Sequence, residues 1–194
     1  MDVKSEMKRC WHTDDPLLLD YHDREWGTPV HDERLHFEFL VLEAFQAGLN
    51  WKIMLHKREN FRKALRNFQP EEIVSFTEND INRLMEDKGI VRNRKKLEAV
   101  VNNAARFLEI QEEFGSFDRY IWGFTGGETV HEECAEFSQV PVRSELSDRI
   151  SNDMKKRGFR FLGSTTVQAH LQGIGIINAH LLFCSRYKEL KKGS

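Results

Sequence analysis

Apolar residues recur at intervals of three and four along most of the chain, the spacing of one buried face of an α-helix. The pattern predicts helices over residues 33–47, 51–65, 78–87, 94–113, 144–157 and 165–182. Convincing runs of the alternation typical of a half-buried strand are absent. The sequence therefore predicts an all-α fold.

Residues that favour helix ends stand where this pattern changes. Thr77 and Ser144 occupy N-cap positions in front of two predicted helices. Glycines suited to the position after a helix end follow other segments, namely Gly89, Gly115 and Gly158. Residues 123–142 are predicted to form a surface loop.

Composition and length favour one soluble domain over residues 1–194. A hydrophobic content of 40% with 14 Phe is enough for a sizeable core, and only 4 Pro and 12 Gly argue against a disordered chain. We find no apolar run of membrane-spanning length and no signal peptide. The expectation is a cytoplasmic protein without a membrane partner.

Charge alone does not identify a partner. The net charge of −2 creates no global attraction for nucleic acid. Basic residues cluster at 92–96 and at 155–157 with Arg160, although such clusters are more often solvated helix faces. The three cysteines do not fit a disulfide scaffold, and Cys134 has no role that we can assign.

Two pairs of residues near opposite ends of the chain have the ligand types of a structural zinc site. Cys10 and His22 lie near the start, and His180 and Cys184 near the finish. His180 and Cys184 are four residues apart, so on a helix both side chains would point the same way. A sulfur and nitrogen ligand set fits zinc best, in a closed structural site. The alternative is that two distant pairs are a coincidence.

Glu43 is the single acid in the otherwise apolar run 39–45 of a predicted helix. Burying an ionised carboxylate is costly unless it is paired. From the sequence alone, the favoured interpretation is that Glu43 faces solvent or pairs with a core arginine. The functional alternative is a recognition carboxylate that lines a pocket and accepts hydrogen bonds from a ligand.

The segment 46–51 predicts a tight turn between two helices. Gly48 permits a left-handed stop and Asn50 is a good N-cap. Leu49 then lies at the tip of the turn, where it either packs back against a neighbouring helix or acts as a wedge between nucleic-acid bases.

Three of the four Trp lie within the first 51 positions, together with Tyr21. Such enrichment is most often core, but around an acid it forms the walls of a pocket for a planar, cationic ring. The residues concerned are Trp11, Tyr21, Trp26 and Trp51.

The sequence of residues 81–96 predicts a helix, a tight turn that contains Gly89, and a second helix with basic residues in its first turn. Backbone N–H groups in such a turn can hold a phosphate. Many helical hairpins share this pattern, so it is weak evidence for DNA binding.

These segments together resemble the type I DNA-3-methyladenine glycosylases. The resemblance spans roughly residues 9–184, and its most specific segments are Tyr21-His22-Asp23-Arg24-Glu25-Trp26-Gly27 and Gln46-Ala47-Gly48-Leu49-Asn50-Trp51. Further segments that carry it are 89–94, 155–163 and 178–184. One departure from the family pattern is that Trp11 follows Cys10 directly.

The resemblance implies a fold of the helix-hairpin-helix glycosylase superfamily, with the hairpin at about 78–107. It implies one structural zinc per chain, held by Cys10, His22, His180 and Cys184. It also implies a base pocket formed by Glu43 with Tyr21, Trp26, Trp51 and Trp11. The implied DNA contacts are Gly48, Leu49, Gly89, Val91 and Arg92.

The implied function is hydrolysis of the N-glycosidic bond of 3-methyladenine in alkylated double-stranded DNA, after the base flips into the pocket. The enzyme would act as a monomer and release free 3-methyladenine. Two rivals of other classes stay open. One is a non-catalytic, zinc-stabilised module that binds damaged DNA, and the other is a hydrolase of free modified nucleosides.

Overall fold

The computed structural model describes residues 8–192 and is predominantly helical, as the apolar spacing predicts. Its ten α-helices in chain order are α1 (Pro16–Arg24), α2 (Glu33–Gln46), α3 (Trp51–Ala64), α4 (Pro70–Ile73), α5 (Glu78–Glu86), α6 (Arg94–Phe114), α7 (Phe117–Gly123), α8 (Glu145–Lys156), α9 (Ser164–Gly173) and α10 (Ser185–Lys192). Short 3-10 turns occupy Arg66–Phe68 and Phe137–Gln139. Among these described helices, none has both the length and the apolarity needed to cross a membrane.

Helix α2 is the centre of the fold. Every residue from His36 to Phe45 is buried, so this helix has no solvent-facing side over most of its length. Helices α3, α6, α7 and α9 pack around it. A helix that is apolar on all sides belongs in the interior of a domain, and this position explains why α2 can hold a carboxylate away from water.

Helix ends follow the predicted cap chemistry. Asn50 accepts a hydrogen bond from the backbone N–H of Lys52 at 2.9 Å, and Ser144 accepts one from that of Ser147 at 3.2 Å. Thr77 and Asp80 form a reciprocal capping box at the start of α5. These caps satisfy N–H groups that have no partner within the helix.

The last predicted helix is wrong beyond residue 173. Helix α9 ends at Gly173, and the chain then forms a short strand β2 (Ile177–Asn178), parallel to β1 (Val130–His131). Gly175 has φ +78°, and a Cβ there would lie 2.4 Å from the backbone of Thr28 and Pro29, so only glycine fits. His180 and Cys184 therefore lie on a loop after β2, not on a helix.

His170 on α9 is a buried histidine without a hydrogen-bond partner for either ring nitrogen among the described residues. Burial, with a smaller contribution from the nearby His36, lowers the pKa of His170 to about 3. The imidazole is thus neutral in the folded protein over the whole physiological pH range.

We expect this buried imidazole to make the free energy of unfolding fall as the pH is lowered below about 6.5, the ordinary pKa of histidine. Between that pH and about 3 the unfolded chain binds a proton that the folded chain does not. At pH 4 the loss amounts to up to about 3 kcal/mol. Urea unfolding at pH 7 and pH 4 should show a smaller difference for His170→Leu. An equal difference in both proteins would contradict this assignment.

Candidate active site

A cavity of about 270 Å³ opens between α1, α2, α3 and α9. Its lining combines aromatic rings with one acid and two amides: Trp11, Tyr21, Trp26, Glu43, Gln46, Trp51, Phe137, Val140, Ala169 and Gln172. All five residues that the sequence predicted for a base pocket are among them. An apolar cavity with a few convergent polar groups is the usual form of a small-molecule site.

The aromatic residues form one connected wall. Ring centroids are 4.8 Å apart for Trp11 and Trp26, 6.0 Å for Trp11 and Tyr21, and 5.4 Å for Tyr21 and Trp51. The direct succession of Cys10 and Trp11 therefore does not remove Trp11 from this wall. Such a group of rings offers π faces to a planar ligand, and most strongly to a cationic one.

Glu43 is buried in this wall and has no hydrogen bond or ion pair with any residue of the range 8–192. Only 5% of its surface is exposed, and burial raises the pKa of its carboxyl to about 8. The interpretation favoured from the sequence alone, that Glu43 faces solvent or pairs with an arginine, is wrong. A carboxyl in this state is ready to receive a positively charged or hydrogen-bond-donating ligand.

The arginines instead bind Glu38, which lies on the same helix and is fully buried. Its carboxylate accepts hydrogen bonds from Arg34 at 2.5 Å, from Arg62 at 2.7 Å and from Arg58. Although burial opposes ionisation, these contacts lower the pKa of Glu38. The two buried glutamates of α2 are thus in opposite electrostatic states.

Arg58 joins the three helices that carry the pocket. This α3 residue binds Glu38 of α2 and also Glu25, the C-cap of α1, at 2.7 Å. Its guanidinium also lies 5.3 Å from the ring centroid of Phe39, which neighbours Tyr21. Since Glu25 directly precedes Trp26, one side chain fixes the pocket walls of α1 relative to α2 and α3.

Cys10, His22, His180 and Cys184 form a second buried cluster, next to the pocket. Their ligand atoms all lie within 4.8 Å of one another. The sulfur–nitrogen distances are 3.2 Å and 3.6 Å from Cys10 to His22 and His180, and 3.6 Å and 3.5 Å from Cys184 to the same two rings. Tetrahedral zinc with ordinary bond lengths separates sulfur from nitrogen by about 3.5 Å, so the four residues fit zinc.

In each histidine, the ring nitrogen that faces away from the sulfurs makes a hydrogen bond, as is usual for histidines that bind a metal. Nδ1 of His22 donates to Asp23 at 2.8 Å, and Nε2 of His180 donates to the carbonyl of Trp26 at 2.9 Å. These bonds leave Nε2 of His22 and Nδ1 of His180 unprotonated and directed at the two sulfurs. The contact with Trp26 also links the cluster to the pocket wall.

The thiols respond to this environment in opposite directions. The hydrogen bond between the two sulfurs lowers the pKa of the Cys184 thiol, whereas this bond and burial raise the pKa of the Cys10 thiol. One thiolate is therefore favoured even without a cation, and thiolate is the form that binds metal. Cys134 lies outside this cluster and is half-buried.

The turn between α2 and α3 lies at the rim of the site. Gly48 has φ +85° and is exposed, and the side-chain amide of Gln46 donates to the carbonyl of Leu49 at 2.8 Å. Lys96 of α6 donates to the carbonyls of Phe45 at 2.9 Å and Ala47 at 3.0 Å. Leu49 is half-buried and packs against the core, as the first of its two interpretations predicts, and part of its side chain remains accessible.

The predicted hairpin connects α5 to α6. The side chain of Asp87 accepts a hydrogen bond from the N–H of Gly89 at 2.7 Å, and Lys57 donates to the carbonyl of Gly89 at 3.0 Å. Val91 is half-buried and Arg92 is exposed. The turn is thus fixed to α3, the helix that carries Trp51.

Sequence reasoning missed the far side of the cavity. Phe137 and Val140 come from the segment predicted as a loop, and Ala169 and Gln172 come from α9. No spacing connects these residues to the N-terminal aromatics, since only the packing of α9 on α2 brings them together.

Residues 11–187 match the model of the methyladenine glycosylase family. The chain belongs to this family. Methyladenine glycosylases with curated names include DNA-3-methyladenine glycosylase 1 of Escherichia coli (strain K12), which is 37% identical over 182 residues, covering 93% of this chain and 97% of the relative. The DNA-3-methyladenine glycosylase of Haemophilus influenzae is 39% identical and covers 91% and 96% of the two chains.

Solved methyladenine glycosylases share the architecture. The structure of 3-methyladenine DNA glycosylase I from Staphylococcus aureus, described as the basis of 3-methyladenine recognition, has a TM-score of 0.89 and 38% identity, covering 92% of this chain and 96% of that one. A variant of the type I enzyme in complex with 3-methyladenine has a TM-score of 0.87 and 38% identity, with 89% and 93% covered.

Proposed function

We propose that this chain excises 3-methyladenine from alkylated double-stranded DNA by hydrolysing its N-glycosidic bond. The observation that carries the proposal is the unpaired, buried carboxyl of Glu43 inside an aromatic cavity. N3-methylated deoxyadenosine carries a positive charge on a planar base. Relatives whose names state this activity match more than nine-tenths of the chain.

The base reaches the cavity by flipping out of the duplex, which costs a few kcal/mol and least for a damaged base. It stacks against Trp51 and the connected rings of Tyr21, Trp11 and Trp26. The ionised form of Glu43 accepts hydrogen bonds from the N–H edge of the adenine and stabilises the cationic ring.

The leaving group needs no strong acid, because the bonding electrons neutralise the positive base as the bond breaks. Water adds to C1′ of the oxocarbenium-like sugar and releases its proton to solvent. Within residues 8–192, Glu43 is the only acid that lines the cavity. Catalysis then rests on the placement of charge rather than on a dedicated general base.

The DNA is held at the rim of the cavity and at the hairpin. Gly48 and Leu49 fill the gap that the flipped nucleotide leaves, for which the accessible part of Leu49 is suited. Gly89, Val91 and Arg92 hold the phosphate backbone in a helix-hairpin-helix unit at about 78–107.

Residues 1–194 act as one domain and as a monomer.

Cys10, His22, His180 and Cys184 would hold one zinc ion. Four protein ligands would leave no position for a substrate, so the ion would have a structural role. These ligands lie before α1, on α1 and in the loop after β2, and His180 also donates to the carbonyl of Trp26 in the pocket wall.

The open cavity favours the enzyme over a non-catalytic DNA-binding module, for which a closed or filled pocket is expected. The Gly48–Leu49 turn and the hairpin favour duplex DNA over a free nucleoside. Incubation with methylated duplex DNA, followed by chromatography of the released bases, tests the proposed function directly.

We expect Glu43→Gln to lower the rate of 3-methyladenine release by roughly 10²–10³, the range typical for loss of one preorganised electrostatic contact. The amide keeps the shape but not the charge. Single-turnover excision from methylated duplex DNA measures the rate, and Glu145→Gln, which changes an exposed glutamate of α8, serves as a control. Full activity of Glu43→Gln would show that its carboxylate has no role.

The pH dependence follows from the raised pKa of Glu43, about 8 in the free protein. If the ionised form receives the substrate, kcat/KM rises with pH and levels off above about 8, with a slope near tenfold per unit well below this midpoint. The substrate cation keeps its charge over this range. A profile that is flat from pH 6 to 9 in steady-state assays would contradict the requirement for ionisation.

We expect Cys184→Ala to lose bound zinc and to lower the Tm by roughly 5–10 °C, because a structural metal contributes directly to folding. Zinc content by mass spectrometry and thermal unfolding are the measurements. Cys134→Ala is the matched control and should retain both the metal and the Tm. Unchanged zinc content and Tm in Cys184→Ala would exclude the zinc site.

A further inference from the structure

Phe161 is an exposed aromatic residue in a strained backbone conformation. It has φ +59°, in the left-handed region that residues with a side chain avoid, and 42% of its surface is accessible. Its neighbours Phe159 and Leu162 are buried and anchor the segment on either side. Strain of this kind persists only where the surroundings enforce it, and it concentrates at functional sites.

Buried polar side chains enforce the strain. Asn103 of α6, only 2% exposed, donates to the carbonyl of Arg160 at 2.9 Å and accepts from its N–H at 2.8 Å. The hydroxyl of Ser151 donates to the carbonyl of Leu162 at 2.8 Å. We call residues 159–162 the 160 loop. These bonds fix its backbone and leave the Phe161 ring facing outward.

Unpaired positive charge lies in the 160 loop and on the end of α8 just before it. Arg160, Lys155 and Lys156 are exposed, and none of them makes an ion pair with an acid of the described chain. In the same cluster, Arg157 is bound to Asp153 and Glu113. An exposed ring beside free cations suits a ligand that offers both phosphates and stacked apolar rings.

Helix α6 relates this loop to the proposed DNA-binding turn. Lys96 binds the carbonyl of Ala47, next to Gly48, and Asn103 binds Arg160. Asn103 is the seventh residue after Lys96, so both lie on one face of α6, about 10 Å apart along its axis. That distance corresponds to about three base-pair steps of a duplex.

We propose that the 160 loop is a second DNA contact, which binds the strand that flanks the flipped nucleotide. Phe161 packs against a sugar or base of that strand, and Arg160 binds a phosphate. The inference rests on the proposed function for the identity of the ligand, duplex DNA. Its role is to hold the DNA, not to act on the base.

The test compares the binding of DNA with the binding of the free base. Fluorescence anisotropy with a labelled duplex carrying one tetrahydrofuran abasic analogue gives the Kd for DNA, and quenching of tryptophan fluorescence by 3-methyladenine gives the Kd for the pocket. Phe161→Gly should weaken duplex binding roughly fivefold to tenfold. It should leave free-base binding unchanged and keep the Tm at or above that of the unmodified protein, because glycine relieves the positive φ.

Val74→Ser is the matched control, since it removes another exposed apolar side chain, and its duplex Kd should stay unchanged. Arg160→Gln should reduce the slope of log Kd against log salt by about one phosphate contact. A duplex Kd of Phe161→Gly within twofold of the unmodified protein, or an equal loss of free-base binding, would overturn the proposal. Failure of the unmodified protein to release 3-methyladenine would instead refute the proposed function, and the duplex comparison would still report on the loop.

Discussion

The hydrogen bonds of Arg58 hold together the three helices on which the site is built. Its guanidinium contacts Glu38 on α2 and Glu25 at the end of α1, so three charged groups from separate helices share one partly buried network. Taking such charges out of water is expensive, and loss of one partner leaves an uncompensated charge behind. The relative positions of Tyr21 and Trp26 against α2 thus depend on a network that works only when complete.

Two buried carboxylates of α2 differ in whether they have a partner. Glu38 has three arginine partners and is held ionised, whereas Glu43, one and a half turns later, has none. Pairing Glu43 in the same way would remove the costly buried acid, but it would also fill the site. The 160 loop shows a similar division between exposed and buried groups. Its strained residue is exposed, and the side chains that hold its backbone, Asn103 and Ser151, are buried.

Helical periodicity predicted the helices whose burial is one-sided, such as α5 and α8. It failed after Gly173, where residues 174–181 are all buried, including the polar Asn178 and His180, so that burial there follows no helical period. Helices α4 and α7, with four and seven residues, are too short to show a helical repeat, and α1 and α10 were also missed. Glu43 and its aromatic neighbours were accessible to sequence reasoning because they are close along the chain. Phe137 and Gln172 were not, because they reach the cavity only through the packing of α9.

In the proposed function, the unpaired state of Glu43 also provides a means of distinguishing damaged from undamaged bases. Near neutral pH much of the empty site holds a protonated carboxyl, since burial raises its pKa to about 8. A cationic base favours ionisation, so its arrival expels that proton to the solvent, and one positive charge replaces another. A neutral adenine provides no such compensation. Under the proposed function, the pocket acts as a cation exchanger, and it selects the damaged base by its charge before the shape of the methyl group contributes.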